Sequence, residues 1–263
     1  MFGIVHQVDT ISLTYFTDPL VDTSNLRPHG SAIGSLMLFE KVKSLCIIFP
    51  SSVDNDSLYK WKVNFDIGLI AFIYLSPNSL YRNKELYVSD NGHEEEEDMD
   101  LSWKNARQCL KDAVKRFRML VYHVISLPLL EKVAITDLGK REKVSLSGGK
   151  VAEVRNWLSS PSGETIEQKM KFLQTGCRAS ECYVSLLELP VSGYVMKGVY
   201  LFLAEWNDLA NDNYDSFMKN NVAFEDKEET AYFEARLEIL KKHTYYAVIL
   251  KMIVDSVSSF EDS

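Results

Sequence analysis

The 263-residue chain carries 29 Lys and Arg against 37 Asp and Glu, a net charge of −8, and is 46% hydrophobic and 25% charged. That is the make-up of an ordinary globular protein, with enough chain for a sizeable core in one large domain or two small ones. Net negative charge disfavours non-specific binding to polyanions, and the longest apolar stretch, IGLIAFIYL at 67–75, is far short of the roughly 20 residues of a membrane span.

The first half reads as β-rich. GIVHQVDTISLTYF (3–16) is dominated by β-branched and aromatic residues, with Val5, Ile11, Leu13 and Tyr15 largely on one face. A loop rich in Asp, Pro, Asn and Ser follows. VKSLCIIF (42–49), stopped by Pro50, has the pattern of a buried strand. YKWKVNFDIGLIAFIYL (59–75) first alternates Tyr59, Trp61, Val63 and Phe65 against Lys60, Lys62, Asn64 and Asp66, then turns apolar on both faces. It reads as one strand entering the middle of a sheet, ended by SPNS, with KELYVS (84–89) as a further short strand. The tract 90–100 holds seven acids in eleven residues, either as a linker or as the approach to the next helix. Residues 101–126 form the clearest helix, because Trp103, Ala106, Leu110, Ala113, Phe117, Val121 and Val124 recur at three- and four-residue steps.

The second half mixes types. EKVAITD (131–137) and EKVSL (142–146) read as a hairpin around LGKR, and helices are expected over 150–159 and 164–175. Strands are expected over 181–189 and 193–203, a helix over 204–218, and a long helix over 226–257 with Phe233, Leu237, Leu240 and Thr244 on its apolar stripe. The fold class is therefore α+β: a β-rich N-terminal half, then a mixed half ending in a long helix. A single domain over 1–263 is expected, with 90–100 as the place for any internal boundary.

Four cysteines, Cys46, Cys109, Cys177 and Cys182, stand without a CxxC, and MFGIVHQVDT lacks the features of a secretory signal. Reduced thiols and a cytoplasmic or nuclear location follow as expectations, a Cys177–Cys182 disulfide being the alternative.

Few residues read as chemistry. SLSGGKVAEV (145–154) puts Ser147, Gly148, Gly149 and Lys150 ahead of an amphipathic run, where backbone N–H groups can meet an anion. The pattern lacks the first Gly of a P-loop, and Val151 stands where the metal-binding hydroxyl belongs. Helix capping by Ser147 or Gly148, with Gly149 as a permissive turn, accounts for the same residues. In NDLANDNYD, Asn207, Asn211 and Asp215 step by four, a spacing similar to the second metal motif of class I terpene synthases. Asn211 stands where that family has Ser or Thr, Asp215 where it has Glu, and no DDxxD helix accompanies them, so the stretch reads as a solvated helix face. His6, His29, His93, His123 and His243 show no ligand spacing, and the Ser31 of HGSAIGS has no strand–turn–helix context. No catalytic residue, metal site or cofactor is expected.

The sharpest feature is charge. Behind the acidic tract, the helix bears Lys104, Arg107, Lys111, Lys115, Arg116 and Arg118 against Asp112 alone. The reading is a non-catalytic, cytosolic protein-binding factor (an adaptor, assembly subunit or regulatory protein) that presents Lys104, Arg107, Lys111, Lys115 and Arg118 to an acidic protein partner. Two alternatives remain: an enzyme on a phosphorylated small molecule, held at Ser147–Lys150, and an RNA-binding accessory protein using residues 104–118. Membrane insertion is not expected, and the sequence leaves oligomeric state open.

Overall fold

Alternating side chains give each strand two faces, and here both faces find helices to bury them. A computed structural model describes residues 10–14, 41–51, 58–66, 69–82, 95–160, 164–170, 173, 177–207 and 227–242. Its strands are β1 (Thr10–Thr14), β2 (Ser44–Phe49), β3 (Lys60–Asp66), β4 (Leu69–Tyr81), β5 (Lys132–Asp137), β6 (Glu142–Ser147), β7 (Arg178–Leu189) and β8 (Tyr194–Asn207). Its helices are α1 (Glu95–Ser126), α2 (Gly149–Leu158), α3 (Ile166–Met170) and α4 (Lys227–Lys242). The strands form one mixed sheet in the order β1-β2-β5-β6-β3-β4-β8-β7. β1, β2 and β5 run parallel, as do β6 and β3, and the remaining neighbours are antiparallel. The fold is α+β.

One face packs under α1 and α2. Leu45, Ile47 and Phe49 of β2, Val133 and Ile135 of β5, and Val144 and Leu146 of β6 meet Leu110, Phe117, Leu120 and Val124 of α1 in a single buried cluster. Aromatic rings run across β3, β4 and β8: Tyr59 to Tyr74 at 5.8 Å, Trp61 to Phe72 at 5.7 Å, Phe72 to Phe202 at 6.2 Å and Tyr74 to Tyr200 at 6.5 Å. Such pairs add to the roughly 1.5–3 kcal/mol of each fully buried large apolar side chain. The opposite face carries a second cluster, Ala71, Ile73 and Leu75 of β4 with Val199, Leu201 and Leu203 of β8, beneath Ala231, Tyr232, Ala235 and Ile239 of α4.

Several elements depart from the sequence reading. Residues 59–75 do not make one strand: β3 and β4 pair antiparallel with Asp66 opposite Leu69, so the change from alternating to apolar marks the change of strand. SPNS does not end β4, which runs to Tyr81 paired with β8. Residues 204–207 continue β8 rather than opening a helix, because Ala204 and Trp206 supply the same buried face as Phe202. Asn207 thus ends a strand, while Asn211 and Asp215 lie outside the described residues. α1 starts at Glu95, where acids favour the positive end of the helix dipole. On α4 the buried stripe is Ala231, Tyr232, Ala235, Arg236 and Ile239, not Phe233, Leu237 and Leu240. The two alanines let the helix approach the sheet closely and leave the larger residues on its flanks. The expected strand at 84–89 and residues 243–257 of the long helix lie outside the described residues.

Two cations, half-buried Arg155 and buried Lys169, close two helix ends. The Arg155 guanidinium donates to the carbonyls of Val124, Leu127 and Leu130 past the end of α1. The Lys169 ammonium does the same for Trp157, Leu158 and Ser160 past α2. The Glu234 carboxylate accepts the backbone N–H groups of Val191 and Ser192 at 2.7 and 2.8 Å, which ties α4 to the β7–β8 turn. All four cysteines are free thiols. Among the described residues, no helix is long and apolar enough to cross a membrane.

Candidate anion-binding cleft

The alternation in β3 that buries Tyr59, Trp61 and Val63 under α1 must turn Lys60 and Lys62 to the opposite face. β6 lies beside β3 in parallel register with Lys62 opposite Lys143, so two like charges meet side by side on a half-buried sheet surface. Like charges so placed are destabilising. The β5–β6 turn adds Lys140 and Arg141, and α4 closes the space from above with Glu229, Tyr232, Phe233 and Arg236. The result is a cleft of about 90 Å³, lined also by Ile73 and Leu75 of β4.

The turn is rigidly built. The Asp137 carboxylate, 1% exposed, accepts the backbone N–H groups of Gly139, Arg141 and Glu142 at 3.2, 2.6 and 2.9 Å. Its Oδ2 also accepts the Ser51 hydroxyl at 2.7 Å. Arg141 donates to Ser51 Oγ at 2.8 Å and lies over the Tyr59 ring, 4.8 Å from its centre. Lys140 is held at φ 55°, a conformation that costs a side-chain-bearing residue about 1 kcal/mol. Beneath, the Tyr59 hydroxyl donates to Glu142 Oε1 at 2.6 Å, and Glu142 forms a buried ion pair with Arg116 of α1.

Charge compensation in the cleft is uneven. Lys60 is 3.4 Å from Glu228 and lies over the Tyr232 ring. Lys62 is pushed down to about 8, by burial first, then by Arg236 and Lys143, against the pull of Glu229. Arg236 is 5% exposed, and its Nε and Nη2 have no hydrogen-bond partner among the described residues. Burial pushes it down to about 10. Two other described Lys or Arg residues are as buried, Arg116 at 3% and Lys169 at 7%, and each has its charge met, by Glu142 and by three carbonyls. Arg236 is therefore the buried cation whose guanidinium keeps two N–H donors without a hydrogen-bond partner among the described residues.

The sequence-predicted residues lie elsewhere. On α1, Lys104 and Lys111 are exposed, whereas Arg107, Lys115 and Arg118 are half-buried. Lys104 pairs with Asp100, Lys115 is 3.6 Å from Asp112, and Arg107 lies over the Trp103 ring. Arg116 points into the core. Ser147, Gly148 and Gly149 are exposed at the start of α2. Gly148 is the N-cap at φ 56° with no side-chain cap bond, so the permissive position is Gly148 rather than Gly149. Gly148 N–H donates to the Glu131 carbonyl, and Lys150 is 3.1 Å from Glu153. Sequence reasoning missed the cleft, although the Lys60/Lys62 alternation was its visible half. Among the described residues, no group of three His, Cys, Asp or Glu could hold a metal. No protein-family model matches the chain, and neither a curated protein nor a solved structure shows significant similarity to it.

Proposed function

We propose that the chain is a binding protein for an anionic ligand, with the cleft between β3, β6 and α4 as its site. The observation that carries this reading is Arg236, a buried guanidinium without a carboxylate partner among the described residues, beside the in-register pair Lys62 and Lys143. A basic cleft on a molecule of net charge −8 favours a ligand small enough to avoid the rest of the surface over an extended polyanion. This reading keeps the anion of the sequence-based alternative and moves it from Ser147–Lys150 to the opposite face of the sheet. It is favoured over a protein partner on α1, where Lys104 and Lys115 already meet acids of their own helix.

The test is thermal unfolding in sodium sulfate against sodium chloride of equal ionic strength, with wild type and Arg236→Met. Binding at ten times the dissociation constant stabilises by about 1.4 kcal/mol. Wild type should gain melting temperature in sulfate beyond the general salting effect, and the variant should show only that general effect. Arg236→Met should itself melt higher than wild type without ligand, since it removes an unmatched buried charge. Identical sulfate responses in the two proteins would remove the cleft as the site.

A further inference from the structure

We infer that Lys62 is a site of reversible carbamylation, its side-chain amine taking up carbon dioxide as a carbamate in the field of Arg236 and Lys143. This goes beyond the anion-binding reading and does not require it. Three features carry it. First, the amine is within reach of a small reagent: Lys62 lines the cleft and is half-buried, so it is partly desolvated without being sealed off. Second, its surroundings penalise a positive charge. Lys143 stands opposite in the parallel register of β3 and β6, and Arg236 acts on it from α4. Lys143 has a partner of its own, and its charge weighs on Lys62 all the same. β4 presents Ile73, the register partner of Lys62, and Leu75, neither of which carries a charge. Third, the neighbours select the product. An amine and an aldehyde or ketone give an imine, and the protonated imine keeps the positive charge that Arg236 and Lys143 oppose. A carbamate replaces it with a negative charge that both attract.

The step balances without a further reagent. The lone pair of the neutral Nζ attacks the carbon of carbon dioxide, an N–C bond forms, and one C=O π bond opens to give the carboxylate. The nitrogen releases one proton to solvent, and nothing is oxidised or reduced. Carbon dioxide is uncharged, so the cations of the cleft do not repel it on approach. Only the neutral amine reacts. Burial first, then Arg236 and Lys143, brings Lys62 down to about 8 against the pull of Glu229. Of the other charged groups, Lys60 on the same strand meets Glu228 at 3.4 Å, and Lys140 and Arg141 stand at the β5–β6 turn. Near pH 8 roughly half of Lys62 is neutral, against less than about 1% of an ordinary lysine with a pKa of about 10.4. At fixed total bicarbonate, free carbon dioxide falls with pH while the neutral amine grows. Carbamate on Lys62 therefore rises with pH and levels off just above pH 8, whereas on an ordinary lysine it keeps climbing past pH 9.

The experiment is carbon NMR of the full chain in isotope-labelled bicarbonate and sodium chloride, from pH 7 to pH 9.5, for wild type and Lys62→Arg. Alkylation of the carbamate oxygen, followed by peptide mapping, locates the modified amine. Wild type should show a carbamate resonance that levels off just above pH 8 and is missing from Lys62→Arg, and the alkyl group should map to Lys62. A resonance common to both proteins belongs to another amine. At pH 7.5, Arg236→Met should cut occupancy of Lys62 at least threefold. Glu229→Gln should raise it, because that acid favours the protonated amine and repels the carbamate, and a gain of this kind cannot come from a damaged fold. Identical carbamate signals in wild type and Lys62→Arg across the whole range would overturn the inference. So would a Lys62 carbamate that still climbs at pH 9.5 and ignores both cleft variants, since that is the behaviour of an ordinary lysine. Borohydride reduction of a short aldehyde onto Lys62, with no carbamate formed, would replace it with imine chemistry. All of this is read in chloride, so its failure leaves the sulfate result standing, and the reverse holds as well.

Discussion

At the scale of single residues, the molecule separates charges that hold it together from one that does not. Arg116 and Glu142 neutralise each other under α1, and Asp137 spends both carboxylate oxygens on the turn that carries Arg141. His123 is a different case. It is 2% exposed, its Nε2 has no partner among the described residues, and burial pushes it down to about 4. Its folded pKa lies below the unfolded value of about 6.5, so between pH 6.5 and 4 the unfolded chain binds more of the proton, and stability falls as the pH is lowered through that window. His123→Leu should remove up to about 3 kcal/mol of this acid sensitivity. Urea unfolding of both proteins at pH 7 and pH 4.5 checks it: an equally steep acid loss in the variant would place the titrating group elsewhere. Of the cleft, Lys60 and Lys62 were legible as one face of a strand from the alternation alone. Arg236 was not, because a helix shows which face it buries only once its neighbours are known.

At the scale of elements, β8 is held on both sides, by β4 over most of its length and by β7, and the paired register on both sides passes over Gly198. Gly198 has φ +60°, and a Cβ there would lie 2.5 Å from Asn78 Nδ2. Gly198→Ala should therefore cost about 1–2 kcal/mol through its backbone conformation and more through the displaced Asn78 side chain. In denaturant the midpoint should drop with the slope unchanged; adding Asn78→Ala should return only the steric share. A variant as stable as wild type would mean the strand relaxes at no cost. The β5–β6 hairpin was readable from its sequence because both strands and the LGKR turn are local. The β3–β6 pairing was not, since some 80 residues separate Trp61 from its partner Glu142. Nor does composition reveal that α4 meets the sheet through Ala231 and Ala235.

At the scale of the whole molecule, the α+β class was legible from periodicity, and the order of strands was not, because sheet order is set by which faces α1 and α4 can cover together. The thiols report on that layering. Cys109 and Cys177 are buried and their thiols pushed up, Cys177 to about 11, by burial in both cases first; Cys46 and Cys182 are half-buried. A thiolate-specific reagent at pH 8 should modify Cys46 and Cys182 ahead of the other two in native protein, and all four after denaturation. Rapid loss of Cys109 in the native state would contradict the packing of α1. The attachment of α4 carries one more consequence. Among the described residues, an apolar patch on β4, β7 and β8, the Lys60–Glu228 ion pair and the grip of Glu234 on the β7–β8 turn fasten this helix, while α1 lies across β3, β4, β5, β6 and β8. Its amides should thus trade deuterium through a low-energy detachment rather than global unfolding. An anion held in the cleft joins the helix to β3 and β6, so sulfate should slow exchange across Lys227–Lys242 and leave the rates in α1 where they were.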